Sequence, residues 1–287
     1  MTTGKRYINL LRSVYIAAII FLVGAALIIC SKSLLTKAEE PVPLPVIMYH
    51  SIYTDTPSEY AVTAEQVEAD LQWLKNNGYQ TVTAEQVIAY TQNRGKLPEK
   101  AVMITLDDGF YNNLSVLVPL LEKYDMTAVV STVGRYIDND AIKDPHNPKY
   151  SYLTWTDIDE LVSSGRIEIG NHTYDMHSLY DGRVGCSRNS GETEESYRTA
   201  LSADIQQLQE EFRENIGFYP VIFTYPFGSV SRESLPVIRD SGFLMTLTCR
   251  EQMNYITREP DCLYGIGRYN RSGLYSTEEY MARLFNA

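Results

Sequence analysis

The chain has 287 residues, 44% hydrophobic and 21% charged, which is enough to bury one large core and close a single barrel. Its 36 acidic and 25 basic residues leave a formal net charge of −11. That balance argues against nucleic acid as a partner, since such a surface needs a basic stripe, and suits a neutral or cationic one.

The first feature along the chain is an uncharged run from Val14 to Cys30. With Leu10 and Leu11 ahead of it, the run is about long enough to span the hydrocarbon of a membrane. Lys5, Arg6 and Arg12 precede it and place the N-terminus in the cytoplasm. Residues 1–12 are expected to be a cytoplasmic tail, 13–31 a transmembrane signal anchor and 32–44 a linker stiffened by Pro41 and Pro43. No small-x-small cleavage site follows the run, which favours an anchor over a cleaved signal peptide. Bulky Ile29 disfavours a lipoprotein anchor on Cys30. Each of these readings puts residues 45–287 outside the cytoplasmic membrane as one domain.

Within that domain short apolar runs alternate with helical patterns. The predicted strands are Pro45–Tyr49, Ala101–Leu106, Thr127–Val133, Ile167–Ile169, Val221–Thr224 and Phe243–Leu247. The predicted helices are Ala64–Asn77, Ala84–Gln92, Asn112–Tyr124, Trp155–Ser164, Glu194–Glu214, Arg232–Ser241 and Thr277–Leu284. The hexapeptide Val62–Val67 recurs as Val82–Val87. We read the echo as two helix starts with the same cap, Thr63 or Thr83 paired with the Gln three residues on, and not as a solenoid repeat. The alternation predicts an α/β fold with a mostly parallel sheet, in which chemistry gathers at the carboxyl ends of strands. His50, Asp107-Asp108, His172 and Tyr225-Pro226-Phe227-Gly228 all follow predicted strands. Three cysteines, Cys186, Cys249 and Cys262, lie in the exported part; they permit one disulfide, expected as Cys249–Cys262, or remain free thiols.

Asp107 and Asp108 close a strand on which successive side chains point apart, so the two acids take different roles. Gly109 permits the turn that follows. Adjacent acids fit a glycosidase pair poorly, because that chemistry needs carboxylates on facing elements. His172 and His177 are five apart, which on a helix would not place them on one face; on a loop after Gly170 they can fold back on one metal. Two imidazoles and a carboxylate with an open position describe a catalytic zinc site, or one for cobalt, iron or manganese.

The chain resembles the polysaccharide deacetylases of the NodB-homology type, carbohydrate esterase family 4. Thr105-Leu106-Asp107-Asp108-Gly109 is similar to the family's Thr-Phe-Asp-Asp-Gly motif, and His172-Thr173 opens its His-Ser/Thr motif. The five-residue spacing to His177, and the strand Pro45-Val46-Ile47-Met48-Tyr49-His50, resemble the subgroup that includes poly-N-acetylglucosamine deacetylases. The resemblance implies a distorted (β/α) barrel. It implies Asp107 as general base, Asp108, His172 and His177 as metal ligands, and a backbone amide of Tyr225–Gly228 as oxyanion donor. Two departures stand out. The family's C-terminal Leu-x-Leu-His motif is missing, and His50 is our candidate for the proton donor it supplies. Thr224 stands where the family has an arginine that orients the base, and Arg268 is our candidate replacement. Tyr111, Tyr174 and Tyr225 flank the motifs and are candidates to stack on sugar rings. The function implied is removal of N-acetyl groups from an extracellular amino-sugar polymer of the peptidoglycan or poly-N-acetylglucosamine type. The alternatives are an O-acetyl (xylan) esterase and a catalytically silent glycan-binding protein.

Overall fold

The computed structural model describes residues 14–25, 40–52, 55–140, 144, 146–180 and 182–285. It contains two compact units, Met1–Glu40 and Pro41–Ala287. In the first unit, residues 14–25 form a helix, α1. At a rise of about 1.5 Å per residue this described stretch is about 18 Å long, short of the roughly 30 Å of bilayer hydrocarbon. Among the described residues no helix is long and apolar enough to cross a membrane, so the anchor expected over 13–31 is not supported there. The rest of that span and the tail 1–12 lie outside the described residues.

The second unit opens earlier than the expected linker end. Val42–Leu44 is a strand, β1, antiparallel to β9 (Asn254–Ile256). The two form a ribbon apart from the main sheet, where Pro43, which lacks an N–H, is tolerated. Leu44 is buried and keeps this segment on the core, which a proline-rich composition does not reveal.

The main sheet has nine strands. Eight run side by side: β10 (Tyr264–Ile266), β8 (Met245–Leu247), β7 (Ile222–Thr224), β6 (Ile167–Asn171), β5 (Ala128–Thr132), β4 (Ala101–Leu106), β2 (Val46–Tyr49) and β11 (Tyr269–Asn270). The short β3 (Gln80–Thr81) adds to β4, and every pairing is parallel. Only Gly267 and Arg268 separate β10 from β11, although those strands sit at opposite ends of the order. The sheet must therefore curl until its edges almost meet, and Arg268 stands at the seam.

All six residues of β4 are buried, as expected of a parallel strand covered on both faces. Val102, Ile104 and Leu106 pack on one side with residues of α2 (Ala64–Asn76), α4 (Val118–Tyr124), α6 (Trp155–Ser163), α7 (Glu194–Ile216) and α9 (Thr277–Phe285). Ala101 and Met103 pack on the other with β1, β9 and α3 (Ala84–Thr91). Both repeated helix starts carry full capping boxes, Thr63 with Gln66 and Thr83 with Gln86. The helix predicted from Asn112 begins instead as a π turn over Asn113–Leu117 before α4. Pro119 has no N–H to complete an i→i−4 bond, so the widened turn absorbs the lost donor. That start aims Asn113 at the end of β2, where its Nδ2 donates to the His50 carbonyl at 3.1 Å. The helix α5 (Gly134–Asp140) was not expected, and α8 (Ser234–Asp240) starts two residues later than predicted.

Candidate active site

β4 delivers Asp107 and Asp108 to the carboxyl end of the sheet, and the backbone then turns through two positive φ angles, 71° at Asp108 and 74° at Gly109. A side chain at Gly109 would meet Thr132 Cγ2 at 2.8 Å, so both conformation and space call for glycine. The turn sends the two carboxylates to different surroundings. Asp107 is 2% exposed and takes a two-pronged grip from Arg268, Nη1 to Oδ1 at 2.6 Å and Nη2 to Oδ2 at 2.7 Å. The guanidinium is fully buried, and its other donors reach the Thr248 carbonyl, Thr105 Oγ1 and Cys249 Sγ. Every donor of the group is thereby engaged, which fixes its plane.

Asp108 faces two histidines. His172 follows β6 and is buried; its Nδ1 donates to the Thr224 carbonyl at 2.7 Å, leaving Nε2 as a bare lone pair. His177 reaches back along an irregular segment, and its Nδ1 lies 3.0 Å from Tyr136 Oη on α5. Asp108 Oδ1 is 3.7 Å from His172 Nε2 and 3.2 Å from His177 Nε2. Even so, that oxygen is buried without a hydrogen-bond partner. An orphaned carboxylate oxygen facing two imidazole nitrogens is a donor set that could hold a divalent cation, and ligand atoms from the three residues lie within 4.8 Å of one another.

The electrostatics agree with different roles for the two acids. Burial alone would raise the Asp107 carboxyl, but the charge and hydrogen bonds of Arg268 outweigh it and hold the group well below the usual carboxylate range. Burial, joined by the negative charge of Asp107 and opposed by His50, raises Asp108 to about 6. Burial pushes His172 down to about 3 and lowers His177 as well, so both imidazoles are neutral, as ligation requires. A cation bound there would reverse the shift on Asp108.

These groups line a cleft of about 560 Å³ with Met48, His50, Glu59, Tyr60, Phe227 and Cys249 among its walls. Arg268 and Thr224 thus take separate places: the guanidinium holds Asp107, while Thr224 Oγ1 bonds Ser131 Oγ at 2.7 Å behind the site. His50 enters the cleft from β2, edge-on to Tyr60 with ring centroids 5.0 Å apart, and its Nδ1 is buried without a partner. In the turn Pro226–Gly228 the Phe227 ring packs 4.5 Å from His177. The amides of Tyr225 and Gly228 donate to the carbonyls of Leu247 and Tyr225, and Pro226 has none, which leaves Phe227 as the turn's amide.

Several expectations need correction. The three described cysteines are free, so Cys249–Cys262 is not a disulfide. Cys249 instead lies beneath Gly228 and 3.8 Å from both Met48 Sδ and an Arg268 nitrogen. Tyr225 is 2% exposed with its hydroxyl on Ser234, and neither Tyr111 nor Tyr174 lines the cleft. The aromatic walls are Tyr60 and Phe227. Tyr60 sits in a turn with no strand-end signal, and nothing in the sequence near it marks it out.

The sequence signature described as polysaccharide deacetylase matches residues 94–246, just over half of the chain. The chain belongs to the polysaccharide deacetylase family. YxkH of Bacillus subtilis (strain 168) is 29% identical over 212 residues, covering 74% of this chain and 66% of its own length. The poly-beta-1,6-N-acetyl-D-glucosamine N-deacetylase of Escherichia coli (strain K12) is 25% identical over 234 residues, covering 74% of this chain but 35% of its own. The chain therefore spans about two thirds of one such relative and about a third of the other. A solved de-N-acetylase from Aggregatibacter actinomycetemcomitans superposes with a TM-score of 0.71 at 24% identity, over 84% of this chain and 100% of that one. IcaB from Ammonifex degensii gives 0.69 at 21% identity, over 86% and 98%. At these identities the likeness is one of fold, and it identifies the curled parallel sheet as that of polysaccharide deacetylases. The family signature ends at residue 246, before Arg268, so the partner of Asp107 in this polysaccharide deacetylase comes from beyond the matched segment.

Proposed function

We propose that this chain is a metal-dependent N-deacetylase acting on an extracellular amino-sugar polysaccharide of the poly-N-acetylglucosamine or peptidoglycan type. The observation that supports it most is the orphaned Asp108 Oδ1 facing His172 and His177, beside an Asp107 locked to Arg268. Asp108, His172 and His177 would hold the cation, most simply zinc, which when bound would polarise the acyl carbonyl and make water more acidic. Asp107 accepts the proton of the attacking water. Arg268 keeps both carboxylate oxygens in one plane, so the lone pairs not used by the guanidinium stay aimed into the cleft. The Phe227 amide is the donor for the developing oxyanion. His50 gives a proton to the departing nitrogen, because an amine leaves only when protonated. The C–N bond breaks, acetate is released, and the sugar keeps a free amine. Tyr60 and Phe227 offer aromatic faces to the sugar ring. The uncharged run 13–31, with Lys5, Arg6 and Arg12 ahead of it, is the basis for placing the domain outside the cytoplasmic membrane, tethered by a signal anchor with 32–41 as spacer.

The deciding experiment measures acetate release from N-acetylglucosamine oligomers and from acetylxylan, with and without a chelator. We expect release from the amino sugar, lost with chelator and restored by zinc. Release from acetylxylan alone would reassign the chain as an O-acetyl esterase, and none from either would leave a glycan-binding protein. His50→Ala with near-normal turnover and bound metal would remove His50 as the proton donor.

A further inference from the structure

The segment from Thr173 to His177 has no regular structure of its own, yet it must present His177 to a site whose ligand atoms fall within 4.8 Å. Three sets of contacts hold it. Thr173, at a φ of +72°, has its N–H bonded to Asn171 Oδ1 at 2.8 Å. The Thr173 and Tyr174 carbonyls accept the first amides of α5, Gly134 N–H at 3.1 Å and Arg135 N–H at 2.8 Å. From the opposite side, the Asp204 carboxylate on α7 accepts the next two amides, Tyr174 N–H on Oδ1 and Asp175 N–H on Oδ2, each at 2.8 Å. The segment is thus clamped between α5 and α7. The clamp is close: a side chain at Gly134 would meet the Tyr174 ring at 2.4 Å.

We infer that Asp204 is a positioning residue for the metal centre, setting its affinity by holding the amides of Tyr174 and Asp175 so that His177 meets His172 and Asp108. This inference rests on the metal-dependent reading above. Two observations separate this role from ordinary helix packing. The core face of α7 is made by Tyr197, Leu201, Ile205, Leu208, Gln209 and Phe212, and Asp204 is not among them. Its two oxygens go instead to backbone donors two and three residues from a candidate ligand. Burial raises its carboxyl to about 6 against the pull of those amides, so near neutral pH it is the charged form that makes these bonds. Tyr136, from α5, completes the clamp at the imidazole itself.

The test is the zinc affinity of the purified chain, read by competition with a chromophoric chelator, for the wild type, Asp204→Asn and Asp204→Ala. Residues that orient a ligand typically change metal affinity by about 10–100-fold when lost. Asp204→Ala is expected to weaken zinc by that amount. Asp204→Asn, which keeps one acceptor, should fall between. At saturating zinc, kcat should recover while KM for an N-acetylglucosamine oligomer stays at the wild-type value. Thermal unfolding of the metal-free proteins provides the control for a purely structural role. If Asp204→Asn lowers that midpoint but binds zinc within twofold of the wild type, Asp204 only stabilises the fold and the inference is overturned. A wild type that binds no zinc overturns the metal-dependent reading first, and this inference with it. Should Asp204→Ala not fold, Asp204→Asn alone decides, because loss of one acceptor still predicts a measurable drop.

Discussion

Two buried arginines, three residues apart in sequence, each grip an aspartate from a distant element, and they serve different ends. Arg271 binds Asp70 on α2 through Nε at 2.6 Å and Nη2 at 3.2 Å, and Tyr49 Oη and Thr277 Oγ1 add further bonds at 2.8 and 2.7 Å. Every member is buried, and Asp70 lines none of the described cavities. Arg268 binds Asp107 just as tightly, but Asp107 also opens onto the cleft. A carboxylate whose lone pairs are all taken by protein ties α2, β2 and α9 together and has nothing left for chemistry. A carboxylate held on one side only is fixed in place and keeps capacity for a substrate proton. The difference lies in saturation, not in burial or pairing strength.

The comparison can be broken most strongly at Asp107. Asp107→Asn should lower kcat by about 10²–10⁴-fold, the usual worth of a general base. Turnover within tenfold of the wild type would show that Asp107 is as structural as Asp70.

The arginines come next. Removing one partner of a buried ion pair costs about 3–5 kcal/mol of stability, so Arg268→Gln and Arg271→Gln should both lower the denaturant midpoint. Only Arg268→Gln should also change the chemistry. Freed from the guanidinium, Asp107 titrates higher, so the acid limb of kcat/KM moves to higher pH. An unchanged pH profile and unchanged turnover in Arg268→Gln would remove Arg268 from the site. Reduced turnover in the folded fraction of Arg271→Gln would blur the distinction from the other side.

A smaller effect is expected from Tyr49→Phe, which deletes one donor to Asp70 and should cost about 1.5–3 kcal/mol, the range for a hydrogen bond to a charged group. Turnover should be retained, and a urea titration measures the change. The least conspicuous effect is on acid stability. The folded-state pKa of Asp107 is depressed, so its pair with Arg268 contributes fully above the unfolded value of about 3.9 and is lost as pH falls through the folded value. The unfolded chains titrate alike at Asp107, so the stability gap between wild type and Arg268→Gln should be widest where Asp107 is ionised in both and narrow as falling pH protonates it first in the variant. A gap that persists unchanged to lower pH would mean the pair is not the source.

Much of this was legible in the sequence where the signal was local. Thr63 and Thr83 each announce a helix with the Gln three residues on, and both boxes form. The run Ala101–Leu106 reads as a buried strand and is one, residue for residue. Asp107, Asp108 and His172 lie at strand ends, and a parallel sheet brings such ends together without further information. Proline misled at both ends of its range: Pro43 stands inside a strand, and Pro119 turns the start of a predicted helix into a π turn. Cys249 and Cys262 looked like partners on count alone, and count carries no distance.

By itself, then, the sequence determined six of the strands, seven of the helices and which polar residues stand at strand ends, because periodicity, capping and strand-end position are properties of neighbours along the chain. Arg268 was a candidate from the sequence, and the structure supplied its two-pronged grip on Asp107. Tertiary structure alone decided that Tyr60 would wall the cleft and that Asp204 would hold the segment carrying His177. Each joins residues far apart in sequence, and each depends on how far the sheet curls. That curl is set by core packing on both faces of the strands, a sum over the whole domain that no short window contains.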